Sequence, residues 1–444
     1  MKVTFGSILE RTAGIGLGFD TMRLLLSISI LCWHSVSISY GKQVELNLWS
    51  SPYGTVVSTV LPVFFVLSGF LVMGSASRAQ SLRAFLTLRA LRIVPALATE
   101  ITLSALIIGA TLTTLPLPQY LSSGQFYAYF GSLIGRIRVT LPGVFEHNPL
   151  PDLVNQSLWT IGPELLCYVY LAALITAGIA RHRALTTIVG CTFVVLDFVR
   201  DQIGSYHHII GEPLLPRSLL VSFILGNMAY LWREKLPYSW MLFTLNLIIG
   251  IGTIHLVHWE DIGIVSLTYC TVFLGLTPIK KIPVLSRGDY SYGIYLYAFA
   301  IQQAVSYLLP EAREFYWNIL ISLPIAILLA MGSWRFIEKP TLSLRKRLTG
   351  LSASRPQQSA SQEFIFTFVA LFLLLFYGAF LATNAKVIPE KFVLSGPNAS
   401  VLVAAIVLAA AAGACVKWML SANRPSMAWN GSAMNLAMSR SERK

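Results

Sequence analysis

Two residues in the first apolar stretch, Arg23 and His34, have the types and spacing to do chemistry in nonpolar surroundings. Eleven residues at 100° each leave them about 20° apart on a helix and roughly 16 Å apart along its axis, so they share one face at different depths. An imidazole titrates near neutral pH and can take a proton from a nucleophile. Asp20, three residues before Arg23, can pair with it and fix the guanidinium. A second constellation is Ser157, Thr160 and Glu164, spaced so that three polar groups fall on one helical face beside Trp159. Glu164 is its important member, a carboxylate able to orient His34 or stabilise its charged form, with Pro163 expected to free backbone carbonyls nearby. A third is the basic stretch from Arg78 to Pro95, where Arg89 and Arg92 lie on one side of a helix start with Arg83 close by, a cluster suited to phosphates. Each has a plainer alternative: Arg23 snorkels to the interface, His34 and Glu164 bond to neighbouring helices, Trp159 anchors at the interface, and the arginines set topology. Arg335, Glu338 and Lys339 read as solvated salt-bridge or ligand residues. His207 and His208 have no carboxylate or cysteine at metal spacing and read as loop residues, so no metal site is expected.

The elements that must position these side chains are membrane helices. Of the 444 residues 55% are hydrophobic and only 12% charged, whereas a soluble domain carries about a quarter charged residues. Hydropathy marks about twelve spans, near 21–39, 56–75, 93–115, 157–179, 185–200, 215–232, 239–257, 262–277, 289–309, 316–336, 363–385 and 399–420. The net charge of +13 does not point to nucleic acid, because most of the 33 lysines and arginines fall in every second inter-helical segment. That is the positive-inside pattern, and it places both termini in the cytoplasm. Met1 to Asp20 lacks the apolar core and small-residue cleavage site of a removable signal peptide. Cys32, Cys167, Cys191, Cys270 and Cys415 are scattered within predicted spans, which argues against a disulfide framework.

The expected fold class is therefore an all-α polytopic membrane protein with a ten-helix core and two additional helices. The core covers 1–350, a polar linker 351–362, the additional spans 363–422, and a disordered basic tail 423–444. The longest external loop, Leu115 to Gln156, is rich in proline and aromatic residues and can lie over an external cavity.

The motifs together resemble the membrane-bound acyltransferase-3 family, which O-acylates sugars of bacterial surface polysaccharides. The resemblance runs from about Phe19 to Arg345. It is carried by Asp20–Thr21–Met22–Arg23 with His34, by Val63–Phe64–Phe65–Val66–Leu67–Ser68–Gly69–Phe70, by Arg89 to Pro95, and by Ser157–Leu158–Trp159 to Glu164. Gly288–Asp289–Tyr290–Ser291–Tyr292 to Tyr295 and Phe336–Ile337–Glu338–Lys339–Pro340 complete it. Many members carry a histidine and a proline in the ninth span where this chain has Ala298 and Ala300.

The resemblance implies an enzyme of the bacterial inner membrane with no permanently bound cofactor. Its co-substrate is acyl-CoA, commonly acetyl-CoA, and its acceptor a glycan or lipid-linked glycan; membrane lipids surround it and no nucleic acid is involved. His34, Glu164 and Arg23 are then the candidate catalytic residues. Arg89, Arg92, Asp20, Ser157, Trp159, Ser291, Tyr292 and Tyr295 are the candidate donor- and substrate-binding residues. Direct transfer and an acyl-histidine intermediate both remain open. A transporter or flippase of lipid-linked glycans is the alternative, since such proteins also bury arginine, histidine and carboxylate among helices.

Overall fold

A computed structural model describes residues 3–344 except 13, 15, 79–80, 204–215, 258–259 and 279–287. The predicted spans 363–385 and 399–420, the linker, the tail, Cys415, His207 and His208 lie outside the described residues. Among the described residues there are helices and loops but no β-strand. Helices occupy each of the first ten predicted intervals. Five are long and apolar enough to cross a membrane, namely Phe19–Tyr40, Pro52–Arg78, Leu82–Leu112, Gln156–Thr176 and Phe315–Ser343. The protein is thus a multi-pass helical membrane protein.

In chain order the elements are α1 (Phe5–Arg11), α2 (Phe19–Tyr40), α3 (Lys42–Trp49), α4 (Pro52–Arg78), α5 (Leu82–Thr102), α6 (Leu117–Ser122) and α7 (Gly124–Tyr129). They continue as α8 (Ile161–Thr176), α9 (Arg183–Ile203), α10 (Pro216–Leu231), α11 (Trp240–Gly252), α12 (Glu260–Leu276), α13 (Ser291–Leu308) and α14 (Phe315–Ser333). The four most relevant to the chemistry are α2, α5, α8 and α13, with α13 packed against α2, α5 and α14.

The main correction concerns α5. Hydropathy starts the span at residue 93, but the helix starts at Leu82 because Ser81 caps it, its hydroxyl accepting from the Ala84 N–H at 3.2 Å. Arg89 and Arg92 therefore sit about two to three turns inside a helix rather than at its entrance. Pro163 falls in the first turn of α8, which continues a 3-10 turn over Gln156–Thr160 as one helix, Gln156–Thr176.

Close packing of α4 on α10 explains the glycine of the Val63–Phe70 motif. A Cβ on Gly69 would strike the Phe223 carbonyl, and one on Gly226 the Val66 carbonyl, so the two backbones meet through glycine. A polar contact between neighbouring helices is buried as well, with Arg217 of α10 paired to Asp197 of α9 at 3.6 Å.

Part of the segment after α5 runs back into the bundle. A π-helical turn over Leu103–Gly109 extends α5, and the Tyr120 hydroxyl donates to the Ala105 carbonyl within that turn. Past Phe145, whose backbone has φ 63 and whose ring is fully buried, the chain descends alongside α13. Asn148 Nδ2 donates to Gln303 Oε1 at 2.7 Å, and Gln303 Nε2 donates to the Leu150 and Leu153 carbonyls, each at 2.8 Å. Two turns lower, Asn155 Nδ2 reaches the Leu296 carbonyl at 2.7 Å. The limb thus tracks α13 inward and delivers the 3-10 turn, with Ser157 and Thr160, to the middle of the protein.

Candidate active site

The site has two levels, and α2 runs through both. At the lower level the unit is a chain of charges. Arg23 Nη2 donates to Asp20 Oδ1 at 2.6 Å, Arg23 Nη1 lies 3.3 Å from Asp289 Oδ2, and Arg92 Nη2 donates to the same oxygen at 2.7 Å. Ser291 donates its hydroxyl to the other oxygen of Asp289 at 2.8 Å. The Arg92 guanidinium lies over the Tyr292 ring, 5.4 Å from its centroid. Arg89 donates to Ser75 Oγ at 3.3 Å and lies 6.0 Å from the centroid of the Tyr168 ring. Arg83 is exposed on another side of α5.

Glu164 joins this lower cluster. It accepts the Tyr168 hydroxyl at 2.6 Å and lies within the electrostatic reach of Arg92 and Arg89. The structure does not bring it to His34. Glu338 also belongs here, buried at 2% exposure in a π turn over Trp334–Glu338, bonded to Ser333 at 3.0 Å and within the field of Arg92. The solvated role read from the sequence fits Arg335 and Lys339, which are exposed, but not Glu338. The π turn explains the difference, because it rotates one residue of an otherwise exposed helix end toward the bundle.

His34 defines the upper level, eleven residues or about 16 Å further along α2. Its ring meets Phe299 edge-on with centroids 5.0 Å apart, and its Nδ1 is buried without a hydrogen-bond partner. Phe299 stands between Ala298 and Ala300, both buried. One residue beyond His34, Ser35 is fixed by Gln302 of α13 and Asn318 of α14, so a buried polar seam borders the imidazole on one side.

Between the levels, Tyr295 and Thr160 share a hydrogen bond of 2.6 Å, and the Tyr295 hydroxyl also reaches the Ser157 carbonyl at 3.1 Å. Ser157 and Thr160 are buried and Trp159 is half-buried in the same 3-10 turn. Together Ser157, Thr160 and Tyr295 form a hydrogen-bonded polar group between the arginine cluster and the histidine level. Among the described residues no group of three His, Cys, Asp or Glu side chains could hold a metal ion. Cys32, Cys167, Cys191 and Cys270 are free thiols.

Sequence reasoning left Glu100 unremarked. Its Oε1 accepts from Ser104 at 2.6 Å and from Asn155 at 2.7 Å, while the Tyr129 hydroxyl lies 3.5 Å away. Burial, and then the Glu100 carboxylate, push the Tyr129 phenol well above its ordinary value, so it stays a donor. Asn155 is the hinge of this set, because its Oδ1 also caps the 3-10 turn by accepting from the Ser157 N–H at 3.1 Å. Replacing Asn155 by Ala removes one bond each to Glu100 and the Leu296 carbonyl and leaves the buried Ser157 N–H without its cap, at a cost of about 1–3 kcal/mol for that unpaired group. Thermal unfolding of purified Asn155→Ala followed by tryptophan fluorescence should show a lowered midpoint, and Asn155→Asp, which sets a second carboxylate against Glu100, a larger drop. A midpoint equal to the wild type in both would remove this linkage.

The bundle thus holds an arginine–carboxylate cluster at one level and a histidine at the next along one helix. A family model described as an acyltransferase domain matches residues 17–335, and the chain belongs to this family, acyltransferase-3. It is an acyltransferase. An "O-acetyl transferase" of Shigella phage Sf6 is 27% identical over 343 residues, covering 73% of this chain and 96% of the relative. "Nodulation protein 10" of Rhizobium leguminosarum bv. viciae is 26% identical over 373 residues, covering 76% and 96%. No solved structure matches the chain.

Proposed function

We propose that this protein is an integral inner-membrane O-acyltransferase that moves an acetyl group from cytoplasmic acyl-CoA to a sugar hydroxyl of a surface or lipid-linked polysaccharide. The observation that carries the reading is the shared helix. Arg23 ends in a converged arginine cluster, and His34 follows on the same face about 16 Å on. An acyl donor with an anionic head and a long flexible arm suits that spacing. The name of the phage relative, an O-acetyl transferase, supports acetyl as the group and oxygen as its destination.

In this mechanism the nucleotide phosphates of coenzyme A lie against Arg23, Arg89 and Arg92, where charge-assisted, forked hydrogen bonds favour phosphate. The pantetheine arm follows Tyr292, Tyr295 and the Ser157–Thr160 turn, beside Trp159, and brings the thioester to His34. The acceptor hydroxyl attacks the thioester carbon as neutral His34 takes its proton, forming the new C–O bond. Collapse of the tetrahedral intermediate breaks the C–S bond, and the departing thiolate takes the proton back from the imidazolium. Atoms and charge balance with free coenzyme A and the O-acyl ester as products. Glu164, grouped with Tyr168 below, contributes to the charge balance of the donor site rather than to orientation of the imidazole.

The positive-inside distribution of lysine and arginine supports a cytoplasmic donor side, with the acceptor approaching from the opposite end along the inward-running limb. The reading is tested by structural analysis of surface glycans from cells with the gene, cells without it, and complemented cells. An O-acyl ester that follows the gene names the product. Identical glycans in all three, with the protein well expressed, would sink the assignment in that host.

A further inference from the structure

We infer that Asp289 is a positioning residue of the donor site: its carboxylate converges the guanidinium groups of two helices so that they grip one phosphate-bearing ligand together. This rests on the acyl-CoA reading above and adds to it a residue whose side chain touches no reacting atom.

The argument starts from repulsion. Arg23 on α2 and Arg92 on α5 are both permanently charged, and two cations brought close in surroundings of low dielectric constant drive each other apart. Here a single oxygen, Asp289 Oδ2, lies 3.3 Å from one and 2.7 Å from the other. The three side chains are each only about one-fifth exposed, at 21% for Arg23 and Arg92 and 22% for Asp289. The carboxylate is itself held, because Ser291 fixes Oδ1 at 2.8 Å, and Arg23 is steadied from its other side by Asp20. These contacts use Nη2 of Arg92 and both terminal nitrogens of Arg23. A guanidinium carries five N–H donors, so each fork keeps donors for a second anion. Arg23 Nε is buried without a partner, one such unused donor.

Two roles fit a carboxylate in this place, and they predict opposite signs. If Asp289 merely occupies the phosphate position until the donor arrives, removing its charge relieves a competitor and tightens donor binding. Simple electrostatics says the same, since the site becomes more positive. If it converges the arginines, losing its charge lets them separate and weakens binding despite that gain. The anchored second oxygen favours convergence, because a carboxylate tied to the helix start by Ser291 is not arranged to swing away.

The test uses full-length protein in nanodiscs of zwitterionic lipid, so that anionic headgroups do not compete, with coenzyme A and pantetheine as calorimetric probes. Asp289→Asn, close to isosteric, is expected to raise the Kd for coenzyme A about tenfold or more while leaving that for pantetheine, which has no phosphates, within about twofold. Asp289→Glu should recover part of the affinity. Equal or tighter coenzyme A binding by Asp289→Asn overturns the inference, as does an equal loss for both probes, which would mark a general packing role. A wild-type protein that binds coenzyme A no better than pantetheine overturns the acyl-CoA reading itself, and is distinguishable because the failure precedes any substitution.

Discussion

His34→Ala is expected to abolish detectable O-acyl ester formation, a loss of about 10²- to 10⁴-fold in turnover, while the protein folds and inserts normally. The size follows from removing the positioned base, without which the acceptor hydroxyl must attack with its proton in place. Folding should survive because the His34 side chain makes no hydrogen bond among the described residues and packs edge-on against Phe299. Solution NMR of glycans from cells carrying the variant gives the readout, with protein level checked on the same cells. His34→Gln, which keeps a polar group of similar reach but cannot take a proton at neutral pH, should be as inactive as the alanine variant. Turnover near the wild-type rate in either would remove His34 from the chemistry. The same protein separates the two open routes: radiolabelled acetyl-CoA without acceptor labels the wild type and not His34→Ala if an acyl-histidine forms, and labels neither if transfer is direct.

Arg92→Ala should lower kcat/KM for acyl-CoA about 10²- to 10³-fold, most of it in KM, because truncating one member of a largely buried charge pair costs about 2–5 kcal/mol. Arg92 faces more carboxylate than any other cation in the cluster, touching Asp289 and acting on Glu164 and Glu338. Its loss leaves those acids facing one another across the space proposed for the donor phosphates. Some destabilisation is expected on the same ground, so the informative variant is Arg92→Lys. It keeps the charge and should remain monodisperse by size exclusion, but without the planar fork it should recover only part of the donor affinity. A kcat/KM unchanged in both variants would detach Arg92 from donor binding.

The helices were legible because apolar runs report themselves locally, and the ten intervals read by hydropathy from 21–39 to 316–336 all contain helix. The start of α5 was not, because Arg83, Arg89 and Arg92 depress any hydropathy average across a segment that the Ser81 cap nonetheless makes helical. The same-face relation of Arg23 and His34 was legible from a period of 3.6 residues on one unbroken helix. What lay beyond reach was pairing between distant segments. Asp289 was visible only as one letter of a motif, since its partners come from α2 and α5. The burial of Glu338 was out of reach because nothing in its neighbourhood announces a π turn, and that of Glu100 because Asn155 and Tyr129 reach it from a loop. Glu164 was drawn toward His34 by chemical habit, whereas Tyr168, one helical turn away on α8, was its nearer partner.

The limb from Asn148 to Asn155 bears on how relatives of this protein can be recombined. Because Gln303, Leu296 and Glu100 hold it by side-chain hydrogen bonds, it is part of the interior although it belongs to a loop in the sequence. A chimaera designed to exchange acceptor preference by grafting everything between α5 and α8 would replace one partner of each of these bonds and keep the other. The portable unit is instead the outer portion carrying α6 and α7, joined before Pro116 and near Ile134, with the limb left in register with the α13 it was folded against.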